Sequence, residues 1–201
     1  VITFSSSVEE HFIRLRLVLE RLKAAGLKLK PSKCNLLQTS VQFLGHVVSG
    51  EGISVNNDKI RDVIEWPAPV SVKETRAYLG LCGYYRRFVK GFSEIASPLY
   101  ALTEKNRPFV WTEKCQQAFD NLKEYLTTAP VLAMPDDNSR FVLDTDASNY
   151  AIGAVLSQVQ DGVERVIAYA SRKLSRSEQN YCVTRRELLA VVNFVKNFRH
   201  Y

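Results

Sequence analysis

Cysteine and histidine are scarce and scattered in this chain. Cys34, Cys82, Cys115 and Cys182 include no Cys-x-x-Cys pair, and His11, His46 and His200 do not cluster near them. That pattern argues against a structural zinc site and against a disulfide-stapled fold. Long apolar runs are missing too. None approaches the roughly 20 residues that span a bilayer, and the first residues carry no basic-then-apolar signal pattern. The expectation is an intracellular chain with no membrane partner. The chain opens directly on the strand-like run Val1-Ile2-Thr3-Phe4, and Tyr201 falls inside an unfinished helical pattern. Both ends are therefore expected to be cuts in a longer sequence.

What is present is enough for a real core: 201 residues, 46% of them hydrophobic, allow one or two domains. The formal charge of +6 is a weak pointer to a phosphate-bearing partner until the positions of the charges are considered. The middle of the chain is the most basic part, with nine basic against six acidic residues between Trp66 and Thr127.

Local signals divide the chain into three segments. Ser7-Val8-Glu9-Glu10 is a capping box, followed by Val8, Phe12, Leu15, Leu19 and Leu22 at helical spacing and by Gly26 as a left-handed stop. Val41–Val48, the turn residues Ser49–Gly52, and Ile53–Val55 predict a hairpin. A short helix is predicted from Asn57 to Glu65, ended by Trp66-Pro67-Ala68-Pro69, which places a boundary at 65/66. Ser71-Val72-Lys73-Glu74 is a second capping box, opening a helical segment that runs to about Leu102. Another helix is predicted over Thr112–Leu126, with Cys115, Ala118, Phe119, Leu122 and Leu126 on one face. Thr127-Thr128-Ala129-Pro130 marks the second boundary. Beyond it, Phe141–Asp146, Tyr150–Gln158 and Arg165–Ala170 predict an antiparallel meander with a turn at Asp161-Gly162. Thr184–Tyr201 predicts a last helix carrying Leu188, Val191, Val192, Val195 and Phe198.

Several side chains stand out chemically. Asp146 interrupts an apolar alternating run, as a metal-binding carboxylate would, yet before Ala147-Ser148 it equally suits a strand-end turn. Glu187, on a helix face with Val191, Phe194 and Phe198, could meet Asp146 if that helix packs on the sheet. It also closes a capping box, Thr184-Arg185-Arg186-Glu187, which needs no metal. Asp144 shares the strand face of Asp146 and reads as a solvated neighbour. Arg76, Gly80 and Tyr84 recur every four residues and line one helical stripe. An arginine reaches phosphate, a glycine admits a sugar-phosphate backbone, and a tyrosine stacks or donates a hydrogen bond. The competing reading makes Gly80 a helix-packing residue and Tyr84 a core residue. Arg86, Arg87 and Lys90 extend the basic surface, either as phosphate contacts or as a solvated helix end.

Phe43-Leu44-Gly45-His46, Tyr78-Leu79-Gly80-Leu81 with Tyr84-Tyr85-Arg86-Arg87-Phe88, and Thr145-Asp146-Ala147-Ser148 with Gly153-Ala154-Val155-Leu156-Ser157-Gln158 occur in that order. Together they resemble a gypsy-type LTR retrotransposon Pol polyprotein over nearly the whole chain. The resemblance implies an α+β chain in three parts. Residues 1–65 would be the end of a reverse transcriptase palm, 66–127 the helical thumb and connection, and 128–201 the first part of a ribonuclease H-like α/β domain. It makes Phe43, Leu44, Gly45 and His46 the primer grip and places Arg76, Gly80 and Tyr84 on the thumb helix that tracks the duplex minor groove. It makes Asp146 and Glu187 two of the four ligands of a catalytic Mg²⁺ site. The polymerase aspartates would precede Val1, and the remaining ribonuclease H carboxylates would follow Tyr201.

The implied parent is an RNA-directed DNA polymerase with ribonuclease H, of which this segment alone is expected to be inactive. Its implied partners are an RNA–DNA hybrid or DNA duplex and the remaining polyprotein segments: palm and fingers, the rest of ribonuclease H, and integrase. The implied location is a cytoplasmic particle or the nucleus. Two other readings compete, a host-retained, non-catalytic nucleic-acid-binding or protein-interaction module and an independent ribonuclease H-like hydrolase. The long helical segment ahead of the sheet has no role in the second.

Overall fold

The computed structural model describes residues 1–201. Its first helix, α1 (Val8–Ala24), starts where Ser7 Oγ accepts from the Glu10 backbone N–H at 3.2 Å. The Glu10 carboxylate reaches back past the cap to the Ser6 N–H. Gly26, at φ +70°, ends the helix, its N–H donating to Lys23 and that of Leu27 to Leu22. This paired return to the last turn satisfies carbonyls the helix leaves open. The helix forms as its caps dictate, but none of its residues is buried, and Phe12, Ile13 and Leu17 stay exposed.

The stretch read as the first arm of a hairpin is a complete hairpin in itself. Strands β1 (Ser40–Phe43) and β2 (His46–Ser49) pair antiparallel around Leu44-Gly45, and β3 (Gly52–Val55) adds a third strand beyond a second turn. Leu44 and Gly45 both take positive φ, +47° and +75°. Two consecutive left-handed residues make the tight turn whose twist suits paired strands. A leucine in that position carries no turn signature, which is why the composition reads as continuous strand.

Four helices and a short α4 build the first core. α2 (Asn57–Ile64) is capped by Asn56, and α3 (Val72–Tyr84) by Ser71, whose Oγ accepts from the Glu74 N–H. A 3₁₀ turn over Arg86–Phe88 leads to α4 (Phe92–Ile95) and α5 (Ser97–Leu102), and α6 (Glu113–Thr127) follows with Thr112 as its cap. The buried face of α6 is the predicted one: Cys115, Ala118, Phe119, Leu122 and Leu126. These residues join Tyr78, Tyr85, Phe88, Phe92 and Leu99, together with Val55 from β3 and Val63 from α2, in one apolar cluster. Burial pushes the Cys82 thiol up to about 12, so it stays protonated inside this core.

The second core begins one residue past the end of the first. Leu132 exchanges two 2.8 Å backbone hydrogen bonds with Ile53 of the first sheet, while the Ala133 N–H donates to Val166 of the second. That second sheet is the predicted meander: β4 (Phe141–Ala147), β5 (Ala151–Gln160) and β6 (Val163–Lys173), in the order β4-β5-β6, with Asp161 and Gly162 at positive φ in the turn. α7 (Val183–Asn197) covers one face, where Ile152, Ala154, Leu156 and Ala168 meet Ala190, Phe194 and Phe198.

α7 ends at Asn197, with Phe198 as its cap, and so stops short of the predicted Tyr201; it differs from its predicted form in two further ways. Its cap is Cys182, with no side-chain hydrogen bond, so Thr184 to Glu187 is not a capping box. Its inward side is Arg186, Ala190 and Phe194, while Leu188, Val191, Val192 and Val195 remain exposed. These four apolar side chains of the helix stay at the surface. No helix is long and apolar enough to cross a membrane.

Gln158, within the motif Gly153–Gln158, is fully buried and structural. Its side chain donates to the Asp136 and Ser139 carbonyls and accepts from the Asp136 N–H, at 2.8, 2.9 and 2.8 Å. Gln158→Leu leaves these backbone groups unpaired and is expected to lower stability by about 3 kcal/mol, read as a lower urea midpoint at unchanged slope. An unchanged midpoint would contradict this role.

Candidate nucleic-acid interface

Sequence separation hides a close association between two elements. The last turn of α3 sits on the β1–β2 turn, 40 residues away: Tyr84 Oη donates to the Leu44 carbonyl at 2.6 Å and Tyr85 Oη to the Gly45 carbonyl at 2.9 Å. Tyr85 is buried, and burial, followed by the neighbouring Tyr84, pushes its hydroxyl up and keeps it protonated as a donor. A Cβ built on Gly45 would lie 2.8 Å from Tyr85 Oη, at a φ that disfavours side chains. The close approach that calls for a glycine here is made by this tyrosine.

His46 completes the cluster. Its ring lies 5.4 Å from those of Tyr84 and Tyr85 and stacks on Phe88 at 5.6 Å. Nδ1 faces the Leu44 carbonyl at 2.9 Å, and Nε2 is buried without a partner. A carbonyl only accepts, so Nδ1 carries the hydrogen, and the burial of the unpartnered Nε2 disfavours a second proton there. Burial holds its pKa below the usual 6.5, and the charge on Arg87 adds to that, against an opposing contribution from the Leu44 carbonyl. His46 is a packing residue in a neutral state, and nothing in its surroundings equips it for catalysis.

On the outer side of this cluster, Arg76, Gly80 and Tyr84 lie exposed in one row along α3. A Cβ at Gly80 would meet nothing within 4 Å, so Gly80 does not serve helix packing inside this chain. Tyr84 is 53% exposed and Leu44, at the tip of the turn, 71% exposed. Arg76 donates to the Thr103 carbonyl at 3.0 Å while its side chain remains at the surface. The stripe read from i, i+4 spacing is thus physically present, continuous with the turn, and open.

Arg86 and Arg87 are not part of it. Arg86 donates to Ser93 Oγ and to the Ser171 carbonyl, and lies over the Phe92 ring at 5.4 Å. Arg87 donates to the Ile167 carbonyl and to Tyr201 Oη. The helix ends at Tyr84, and the 3₁₀ turn that follows swings both guanidinium groups away from the stripe and onto β6. Sequence spacing does not show these ties, because Ser171, Ile167 and Tyr201 lie 80 residues or more along the chain.

Asp146 stands on β4 and Glu187 on α7. Register pairs Leu143, Thr145 and Ala147 with Leu156, Ala154 and Ile152, on the face that α7 covers. Asp144 and Asp146 therefore project from the other face, where they line a cleft of about 150 Å³ with Gly153, Val155, Ser171 and, from the first core, Lys90 and Glu94. Glu187, half-buried on α7, does not line this cleft. Arg186 beside it is buried and donates to the Ser148 carbonyl and to Asn149 Oδ1, tying α7 to the turn after Asp146. No three His, Cys, Asp or Glu side chains come together as a metal group. Two-metal chemistry needs several converging carboxylates, so the residues of this chain do not by themselves fit a catalytic metal pair.

Fold and surface together define a class: a ribonuclease H-like sheet joined to a helical unit that presents an open, basic and aromatic stripe. Residues 111–201 match the model of the RNase H-like domain found in reverse transcriptase. Over its whole length the chain is 43% identical to the retrovirus-related Pol polyprotein from transposon 297 and 40% identical to that from transposon opus, both of Drosophila melanogaster. It covers 19% and 21% of those proteins. It is 36% identical to the transposon Tf2-3 polyprotein of Schizosaccharomyces pombe, covering 15% of it. Among solved structures, 96% of the chain matches the foamy viral protease-reverse transcriptase in complex with RNA/DNA hybrid, at TM-score 0.83, 26% identity and 26% of that chain. The same protein in complex with dsDNA matches at TM-score 0.80, 28% identity and 40% of that chain. Over its whole length the chain is thus similar to one segment of transposon Pol polyproteins, and its residues 111–201 to the RNase H-like domain of reverse transcriptase. It spans about a fifth of the length of the Drosophila relatives, and the reading as a host-retained module is not favoured. Reverse transcriptases with this kind of domain work with a divalent metal.

The neutral state of His46 sets a pH dependence. Because its folded pKa lies below the unfolded value of 6.5, the unfolded chain binds the proton more readily, and this contribution to stability, present above 6.5, is lost as pH falls below that value. Tm is expected to fall between pH 7 and pH 5, with a smaller fall in His46→Gln. Equal pH dependence in the two proteins would contradict the assignment.

Proposed function

We propose that this chain is the duplex-holding part of a retrotransposon RNA-directed DNA polymerase with ribonuclease H. Residues 1–65 act as the end of the palm with the grip hairpin, 66–127 as the thumb and connection, and 128–201 as part of the ribonuclease H domain. The substrate is an RNA–DNA hybrid or DNA duplex, held by Leu44 and the turn at one end and by Arg76, Gly80 and Tyr84 along α3. Phe43, Gly45 and His46 act beneath this surface by fixing the turn.

The observation that carries this reading is the junction of turn and stripe. Tyr84 belongs to both, and the row it ends is open where a backbone would pass, with glycine at its centre. Arginine there supplies sequence-independent attraction to phosphate. The foamy viral neighbours, bound to hybrid and to dsDNA, support the same reading.

For ribonuclease H chemistry we assign Asp146 and Glu187 as two ligands of a Mg²⁺ site that carboxylates from other polyprotein segments complete. Those segments are palm and fingers, the rest of ribonuclease H, and integrase. The exposed apolar rows on α1 and α7 are consistent with such neighbours. A cytoplasmic particle or the nucleus is the setting this implies.

Binding of a fluorescent RNA–DNA hybrid tests the proposal. The chain is expected to bind with an affinity that falls steeply with salt. Arg76→Glu is expected to weaken binding about tenfold and to flatten the salt dependence. Affinity unchanged by Arg76→Glu would reject the stripe as the binding surface. Robust Mg²⁺-dependent strand cleavage by the 201-residue chain would reject the need for outside carboxylates.

A further inference from the structure

The segment that follows α3 touches both candidate sites. Tyr84 holds the grip turn, and six and ten residues later Lys90 and Glu94 line the cleft that contains Asp144 and Asp146. Between them the chain is immobilised from both sides. Tyr85, Phe88, Val89 and Phe92 are at most 2% exposed in the first core. Val166 and Tyr169 of β6 pack against that same core.

The polar contacts across this junction are mutually satisfied, with the serine pair buried and Arg86 at its exposed edge. Ser93 and Ser171 are both buried. The Ser93 N–H donates to Ser171 Oγ at 2.9 Å, and the Ser171 hydroxyl donates to Ser93 Oγ at 3.1 Å. Arg86 closes the knot by donating to Ser93 Oγ and to the Ser171 carbonyl, with its plane over Phe92. A planar guanidinium with donors in fixed directions holds such partners in one geometry, which an ammonium on a flexible stem does not. Interfaces between domains of one chain ordinarily allow relative motion unless large and apolar. Here a directional polar knot stands in the apolar contact, and breaking it exposes unpaired groups on both sides.

We propose that Arg86, Ser93 and Ser171 are positioning residues. They lock the Tyr84–Glu94 segment onto β6, so that the grip turn and the Asp144–Asp146 cleft form one rigid body with a fixed separation. Resting on the duplex-holding function above, the consequence is that a duplex seated on the grip and α3 reaches the acidic cleft at a constant offset along its length. Without the knot, the same duplex would be presented at a spread of positions.

The test measures the separation directly and needs no nucleic acid, so its failure is distinct from a failure to bind hybrid. Nitroxide labels are placed on the exposed Cys182 at the start of α7 and on Gln42→Cys in β1, with Cys34→Ser. Pulsed dipolar spectroscopy then gives the distribution of distances between the two units. A single narrow distribution is expected in this background. Ser93→Ala with Ser171→Ala is expected to widen it about twofold or more, as for a released hinge, with the helical circular dichroism spectrum unchanged. If that pair does not fold, Ser171→Ala alone, which keeps the Arg86 bond to the backbone carbonyl, is expected to widen the distribution by a smaller factor. A distribution already broad in the starting background, or one that stays narrow in the folded serine variants, would overturn the proposal.

Discussion

The Tyr84 and Tyr85 hydroxyls, donating to consecutive carbonyls of a left-handed turn, are the contacts on which the arrangement of the first unit depends. Each is an ordinary hydrogen bond, worth about 1 kcal/mol net, and the burial of the Tyr85 ring contributes more to stability, on the order of 2 kcal/mol. The hydroxyls contribute direction. They fix the turn's carbonyls against the end of α3, so the exposed Leu44 lies beside the end of the exposed α3 row. His46 fills the space beneath, in a neutral form that tolerates the nearby Arg87 charge.

From that point the chain passes directly to the second unit. The 3₁₀ turn after α3 turns Arg86 and Arg87 from the outer surface to β6, converting two apparent surface charges into ties between the units. The basic character of the middle segment is therefore shared between two tasks. Arg76 remains at the outer surface, and the arginine pair holds the ribonuclease H-like sheet. The cleft formed at that junction mixes carboxylates from β4 with Lys90 and Glu94 from the first unit, so neither unit makes it alone.

Local chemistry was legible in the sequence wherever neighbours decide the outcome. The caps at Ser7 and Ser71, the stop at Gly26, the Asp161-Gly162 turn and the buried face of α6 all follow from residues within one or two turns of each other. The Arg76–Gly80–Tyr84 row was legible for the same reason. The Leu44-Gly45 turn was not, because leucine carries no turn signature and the tyrosines that hydrogen-bond this turn lie 40 residues away. The partners of Arg86 and Arg87 were invisible because Ser171 and Ile167 carry no local mark of them. The inward face of α7 was not marked in the sequence, because Arg186, a charged residue, takes an inward place through its bonds to the Ser148–Asn149 turn.

Hydrogen exchange of the chain with and without an RNA–DNA hybrid tests the central claim most directly, since it maps the contact surface without presupposing any residue. Protection is expected over the β1–β2 turn at residues 42–46 and along α3 at residues 76–84, with the exposed face of α7 unchanged. Protection confined to α7, or to α1, with the turn and α3 exchanging as in the free chain, would contradict the account.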